Sequence, residues 1–399
     1  MRHRIDRSRA AYANPFTIGR ILARGALAAC MVAALGGCST VSSWFDFGSK
    51  KPQPAELGPN PGLVAVRPAW SAKIGPSEGL ALTLQSQGGR VMLASANGGV
   101  YVLDAVSGRE IWRASAGSPL SAAVGSDGET VAVVTRGNEL VAFADGKELW
   151  RKKLPAGVYT APLVTGERVF VLAADRSVSA FDGRSGVRLW MQQRPGEPLV
   201  LQQPGVLVPV GDTLVVGLSG RMAGLNPLNG SIRWEAPIAS PRGTNDVERL
   251  VDLVGRVARE GTVVCARAFQ ASVGCVDAAR GTLLWSKAAN GFQGLDGDGS
   301  SLYGTEAEGT VVAWKRDSGD RAWAQEKLRY RVLSAPLVVG RSVVFGDGTG
   351  TVHMLSREDG AMLNRMPTDG SAITAAPILA GNTLVVATSN GGVFGFVPQ

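Results

Sequence analysis

LDAVSGREIW (103–112) recurs down the chain as FDGRSGVRLW (181–190), LNPLNGSIRW (225–234), VDAARGTLLW (276–285) and WKRDSGDRAW (314–323). A shortened copy, FADGKELW, ends at Trp150, and a degenerate one, LSREDGAMLN (355–364), has Leu363 at the expected tryptophan position. Each copy runs from an apolar residue through Asp or Asn and a few polar residues to Gly, then into an alternating strand that closes on Trp. Asp and Asn hydrogen-bond the backbone of a turn and Gly tolerates positive φ, so each copy reads as a hairpin turn joining two strands. Upstream lies a second recurring unit, TAPLVTGERVFVLAADRSVSAFD (160–182), SAPLVVGRSVVFGDGTGTVHML (334–355) and AAPILAGNTLVVATSNGGVFGF (375–396). It reads as strand, Gly-centred turn, β-branched strand, polar turn and alternating strand, which makes four antiparallel strands per repeat.

The tryptophans at 70, 112, 150, 190, 234, 285 and 323, with Leu363 next, are spaced 38 to 51 residues apart. Four-stranded repeats of about forty residues are the signature of propeller blades. Trp70 ends a strand with no repeat before it, and the last repeat stops at Gln399 without its Trp-bearing strand. The strand around 64–73 therefore completes the final blade, closing an all-β, eight-bladed propeller over residues 63–399. A solenoid would leave that end strand unpaired. No part of this domain has a long helical period, although residues 246–259 could hold a short helix.

The chain opens with Arg2, Arg4, Arg7, Arg9, Arg20 and Arg24, then an apolar run over 26–35. Ten residues are too few to span a bilayer as a helix, and a basic flank before a short apolar core is the layout of a secretory signal. The run ends in Leu35-Gly36-Gly37-Cys38, which resembles the bacterial lipobox. This resemblance implies a signal peptide over 1–37 and a lipidated Cys38. Ser39 follows where an acidic residue would imply the inner membrane, so the outer membrane, periplasmic face, is expected. Residues 38–62, rich in Ser, Gly and Pro, read as a flexible tether. Residues 1–37 hold six arginines and one aspartate, so their removal leaves 35 basic and 32 acidic residues, +3 in place of +8. The high isoelectric point is thus mostly leader, and nucleic acid is not an expected partner. Of four cysteines, Cys265 and Cys275 remain beyond the leader and Cys38. With Gln270 at the turn centre they oppose each other across a hairpin, and in an oxidising periplasm a disulfide is expected; two free thiols are the alternative.

Catalytic chemistry is sparse. The mature chain has one histidine, His353, on a regular repeat strand and expected to be structural. No phosphate-cradling loop, zinc spacing or nucleophile elbow occurs, so no catalytic residue, metal or cofactor is expected. The Gly-to-Trp repeat resembles that of quinoprotein alcohol dehydrogenases, which bind pyrroloquinoline quinone. That resemblance implies fold more than chemistry, because the adjacent cysteine pair of those enzymes is absent. A quinone-binding enzyme or another envelope-binding propeller remains the alternative function.

Leader, lipobox, tether and propeller together resemble the BamB family, lipoprotein subunits of the outer-membrane β-barrel assembly (BAM) machinery. Two segments outside the repeat add to the likeness: GEPLVLQQPGVLV (196–208) and NDVERLVDLVGRV (245–257). The resemblance implies a non-enzymatic scaffold whose neighbouring loops dock on a periplasmic POTRA domain of BamA, the barrel subunit. Carried over by position, Leu199 and Leu201 are apolar contacts, and Arg249 and Asp252 polar ones, with Glu248 beside them. Gln202 stands where the family often has arginine and Val254 where a second acidic residue is common. Independently of that resemblance, exposed edge strands of the rim could hold unfolded barrel clients by β-augmentation, a second expected partner.

Overall fold

In the computed structural model, which describes residues 52–193, 200–240 and 250–399, the repeated Asp-to-Gly stretch is a tight hairpin. Asp104 Oδ1 accepts the Ser107 amide at 2.7 Å and Asp182 Oδ1 that of Ser185 at 2.8 Å. Gly108 and Gly186 have φ of +69° and +68°, a conformation that glycine adopts without steric cost. The glycine serves a second purpose, since a Cβ on Gly186 would lie 2.5 Å from Trp150 and one on Gly108 2.4 Å from Trp70. Each turn is thus the seat for the tryptophan of the preceding blade. Five of the indole N–H groups also donate to the carbonyl just past the turn's first polar residue, among them Trp150 to Gly183 at 2.8 Å and Trp190 to Pro227 at 3.0 Å, whereas that of Trp234 is buried without a partner.

A bulge precedes every such tryptophan. Ala180 faces Trp190 but Phe181 faces Arg188, leaving Leu189 extra, and the same slip occurs before Trp70, Trp112, Trp150, Trp234, Trp285 and Trp323. Bulges increase local twist and re-aim side chains, which here turns the indole sideways onto the next blade. The outer strand runs on beyond the tryptophan and does not end there, as Arg188–Gln192 shows.

The strands form eight four-stranded antiparallel sheets, with no helix among the described residues. Blades 1 to 7 span residues 85–115, 120–153, 163–192, 207–237, 253–288, 296–325 and 337–367. Blade 8 takes three strands from 378–398 and its outer strand, Val66–Lys73, from the other end of the chain. Eight apolar clusters lie between successive blades, one of them joining blade 8 to blade 1 through Val385, Ala387, Val91 and Leu93. The fold is an eight-bladed β-propeller. Because the strands alternate in direction, the hairpins between second and third strands share one face with the connectors between blades. We call this the connector face.

Three expectations change. Residues 253–260, read as part of a short helix, are the first strand of blade 5, because Leu253, Val254 and Ala258–Glu260 pair with the strand Val263–Ala268. Asn364, not Leu363, occupies the tryptophan register in blade 7, facing Met354. Blade 8 has no turn to seat an indole, since its outer strand comes from the N-terminal side. Asn364 instead donates to Val64 O at 2.7 Å and accepts from Asn60 Nδ2 at 3.0 Å. The expected tether is also shorter than 38–62, because Pro54 onward belongs to the compact unit. Ala55 N donates to Arg329 O, Leu63 N donates to Leu363 O, and Leu57 packs on the cluster between blades 6 and 7. This arm runs from the connector face along the outer strand of blade 7. Residues 1–51, including Cys38, lie outside the described residues.

Cys265 and Cys275 face each other in register and are bridged, with Cα atoms 4.0 Å apart and both side chains fully buried. They close a short hairpin, so reduction is expected to remove roughly 2–3 kcal/mol, read as a lower denaturation midpoint in reductant. Two thiols reacting with label in unreduced, denatured protein would contradict the bridge.

Candidate functional site

The segments carrying the expected docking residues meet on the connector face between blades 3, 4 and 5. Leu199, Glu248 and Arg249 lie outside the described residues; Leu201, Gln202 and Asp252 are described. Gly205 and Val254 form an antiparallel bridge, and Gly255 N donates to Pro204 O at 2.6 Å. The connector into blade 4 and the start of blade 5 are therefore joined by backbone, although fifty residues of chain separate them. Gly205 N also donates to Thr160 Oγ1 at 2.8 Å, tying in the approach to blade 3.

Asp252 is the hub of this junction. One carboxylate oxygen accepts Arg176 Nη1 at 3.0 Å, and the other accepts the Leu201 amide at 2.9 Å. The Asp252 and Arg176 side chains are only 15% and 8% exposed, so this pair is largely shielded from water and from salt. Its backbone carbonyl accepts the Phe269 amide at 3.0 Å. Asp252, expected as a polar contact for a partner, has its carboxylate directed inward and positions Leu201. Leu201 is half-buried and Gln202 exposed beside it. Val254 is 3% exposed, so this departure from the family pattern is a core residue and presents nothing at the surface.

Arg176 was not among the expected site residues, yet a signal for it exists in the repeat. In the recurring unit it stands where the other two copies have Gly350 and Gly391. Its φ is +64°, close to their +76° and +84°. A non-glycine residue in this region is uncommon. An arginine accepting that backbone marks a side chain needed where the turn points.

His353 belongs to a different buried group, in blade 7. Its Nε2 lies 2.9 Å from Asp347 Oδ2, which also accepts Arg331 Nε at 2.8 Å. Arg331 Nη1 reaches Ala55 O at 2.8 Å, so the cluster holds the N-terminal arm. Burial pushes the imidazole below its ordinary value despite the opposing pull of Asp347. Burial alone would raise Asp347, but hydrogen bonds from His353, the Thr351 amide and Arg331 outweigh it and hold the carboxyl well below the usual range. Both shifts make acid destabilising. The folded state resists protonating His353, so stability falls as pH drops below about 6.5, and the Asp347 contribution is lost below about 3.9. Urea denaturation from pH 7.5 to 5 is expected to show a slope of at most about 1.4 kcal/mol per pH unit from this histidine, reduced in His353→Gln. An unchanged slope in that variant would exclude His353 as its source.

Among the described residues no group of three His, Cys, Asp or Glu is placed to hold a metal ion. What the connector face offers is a braced surface of mixed apolar and amide character.

The chain has known relatives in sequence and in fold. The family model described as "Outer membrane protein assembly factor BamB" matches residues 96–325. A protein of that name from Bordetella pertussis is 37% identical over 373 residues, covering 93% of this chain and 96% of the relative. The crystal structure of BamB from Moraxella catarrhalis is similar in fold, with a TM-score of 0.76 at 22% identity over 83% of this chain and 99% of that one. A quinohemoprotein alcohol dehydrogenase from Comamonas testosteroni shares the architecture at a TM-score of 0.65 and 14% identity, over 86% of this chain and 78% of that one. Fold alone therefore does not separate scaffold from enzyme; by the family model and the 37% identical relative, the chain belongs to the BamB family of outer membrane protein assembly factors.

Proposed function

We propose that this chain is a non-enzymatic scaffold of the BAM complex, docking through the connector face between blades 3, 4 and 5 on a periplasmic POTRA domain of BamA. The observation that carries this reading is the bracing of Leu201, next to the exposed Gln202, by Asp252 and Arg176. A surface fixed before binding loses less entropy on association. Lipidation at Cys38 would hold the scaffold at the periplasmic face of the outer membrane. The arm meets the ring at Ala55 on the same face. Lipid tethering raises the local concentration of the scaffold near the membrane machinery.

The test is retention of the full chain on the immobilised soluble periplasmic part of BamA. Wild type and the rim control Leu284→Glu are expected to be retained equally, because Leu284 lies exposed on the outer strand of blade 5. Gln202→Asp is expected to bind about tenfold more weakly. Failure of wild type to bind removes the function, and equal binding of Gln202→Asp removes the site. Barrel clients are a further partner in this reading, held on outer edge strands by β-augmentation. Blade 7 is a poor candidate for that role, because the arm already covers its edge. Rim crosslinkers are expected to capture clients on blades 1–6 and not on blade 7; capture of BamA alone rejects the client role.

A further inference from the structure

The first strand of blade 5, Leu253–Glu260, breaks register where it faces the central channel. Val254 opposes Arg267 and Ala258 opposes Cys265, so residues 255–257 bulge away from their partner strand. They stand at the channel mouth with Leu84, Leu163, Val206 and Ile378 from blades 1, 3, 4 and 8. At the centre of the bulge Arg256 has φ +30°, a conformation that persists in non-glycine residues only where the surroundings over-determine it.

The surroundings do so from both sides. Arg256 Nη2 donates to Asp296 Oδ2 of blade 6 at 2.9 Å, and Nη1 donates to Pro377 O, just before blade 8, at 3.1 Å. The same Asp296 oxygen accepts Val338 N of blade 7 at 2.9 Å, and Arg256 O accepts Leu295 N at 2.9 Å. One side chain thus links blade 5 to blade 6 and to the approach to blade 8, and blade 7 joins through the shared Asp296 oxygen. On the opposite flank, the bulge presses on the connector into blade 4. A Cβ on Gly255 would lie 2.8 Å from Gly205 O, and one on Gly294 2.2 Å from Gly255 O. The bulge is wedged between two connectors with no slack. It begins one residue beyond Val254, which bridges Gly205, and three beyond Asp252, which holds Leu201.

We infer that Arg256 is a positioning residue for the docking surface: tied to blades 6 and 8, it presses the 255–257 bulge against Pro204–Gly205 and so sets where Leu201, Gln202 and Asp252 stand. Its consequence for binding rests on the docking reading above; its effect on the connector does not. Removing the side chain leaves the blade 6 flank held by the Leu295 N to Arg256 O bond alone. The amides that close the junction, Gly205 and Gly255, then open more often.

The test uses the full chain in three forms: wild type, Arg256→Gly, which keeps the left-handed backbone while removing the strut, and Arg256→Lys, which restores a cationic donor. Hydrogen exchange and affinity for the soluble periplasmic part of BamA are both measured. For Arg256→Gly, exchange at Gly205 and Gly255 is expected to rise about tenfold, with blades 1–3 unchanged, an unaltered thermal midpoint and affinity about tenfold lower. Arg256→Lys is expected to recover part of both. Unchanged exchange at those amides overturns the inference, as does a rise spread evenly over all blades, which would make Arg256 a general strut of the ring. Faster exchange with undiminished affinity also overturns it. If wild type itself fails to bind while the exchange pattern appears as described, the docking reading falls and the positioning of the connector stands.

Discussion

Trp150→Ala should destabilise the protein by about 3–5 kcal/mol, the largest effect expected of any single truncation in the ring. Trp150 is 7% exposed and lies in the apolar cluster between blades 2 and 3, with Phe181 stacked at 6.4 Å. Its N–H satisfies the carbonyl of Gly183, so the substitution opens a cavity and strands a buried acceptor. Gly186, on which the indole packs, has no side chain of its own to fill the space. The neighbouring Leu149, the bulged residue, is 45% exposed, and Leu149→Ala should stay within about 0.5 kcal/mol of wild type. Urea denaturation of both variants checks the pair. A Trp150→Ala protein within about 1 kcal/mol of wild type would mean that the repeated tryptophan is not what seals the blade seams.

The second large effect is expected at Asp252, and on binding more than on folding. Asp252→Arg sets two guanidinium groups against each other and removes the acceptor of the Leu201 amide. Breaking so shielded a pair costs about 2–4 kcal/mol locally, and docking should weaken at least about a hundredfold. A charge swap separates the two roles open to this residue. If Asp252 acts through the junction, Arg176→Asp combined with Asp252→Arg should recover a measurable part of the affinity, because the ion pair is remade. If Asp252 instead meets the partner directly, the double variant should bind no better than Asp252→Arg alone. Titration of wild type, Asp252→Arg and the double variant against the soluble periplasmic part of BamA decides between them.

Legibility from sequence differed sharply between ring and site. Trp70, Trp112 and their successors could be read because each contact they make is written twice, as an indole and as the glycine it rests on. The hairpin of Cys265 and Cys275 was readable for the same reason, a short loop around Gln270. Aligned end to end with the other ten-residue copies, the stretch 355–364 already ends on Asn364 and not on Leu363. The departure of Asn364 from tryptophan makes sense only once blade 8 is seen to lack the turn that would seat an indole. Val254 looked like a changed surface position and is a core side chain, because strand pairing with Arg267 and Gly205 turns it inward.

Blade number, closure by Val66–Lys73 and the tryptophan seats follow from local turn chemistry repeated at nearly constant spacing, and repetition amplifies a weak signal until it can be read in one chain. Arg176 lies in a hairpin of blade 3, Leu201 in the connector into blade 4 and Asp252 at the approach to blade 5, and no spacing announces that they meet. Their junction exists because ring closure sets neighbouring connectors side by side and one bulge, braced by Arg256, presses them together. A contact of that kind occurs once in the molecule, carries no period, and is fixed by packing across the ring.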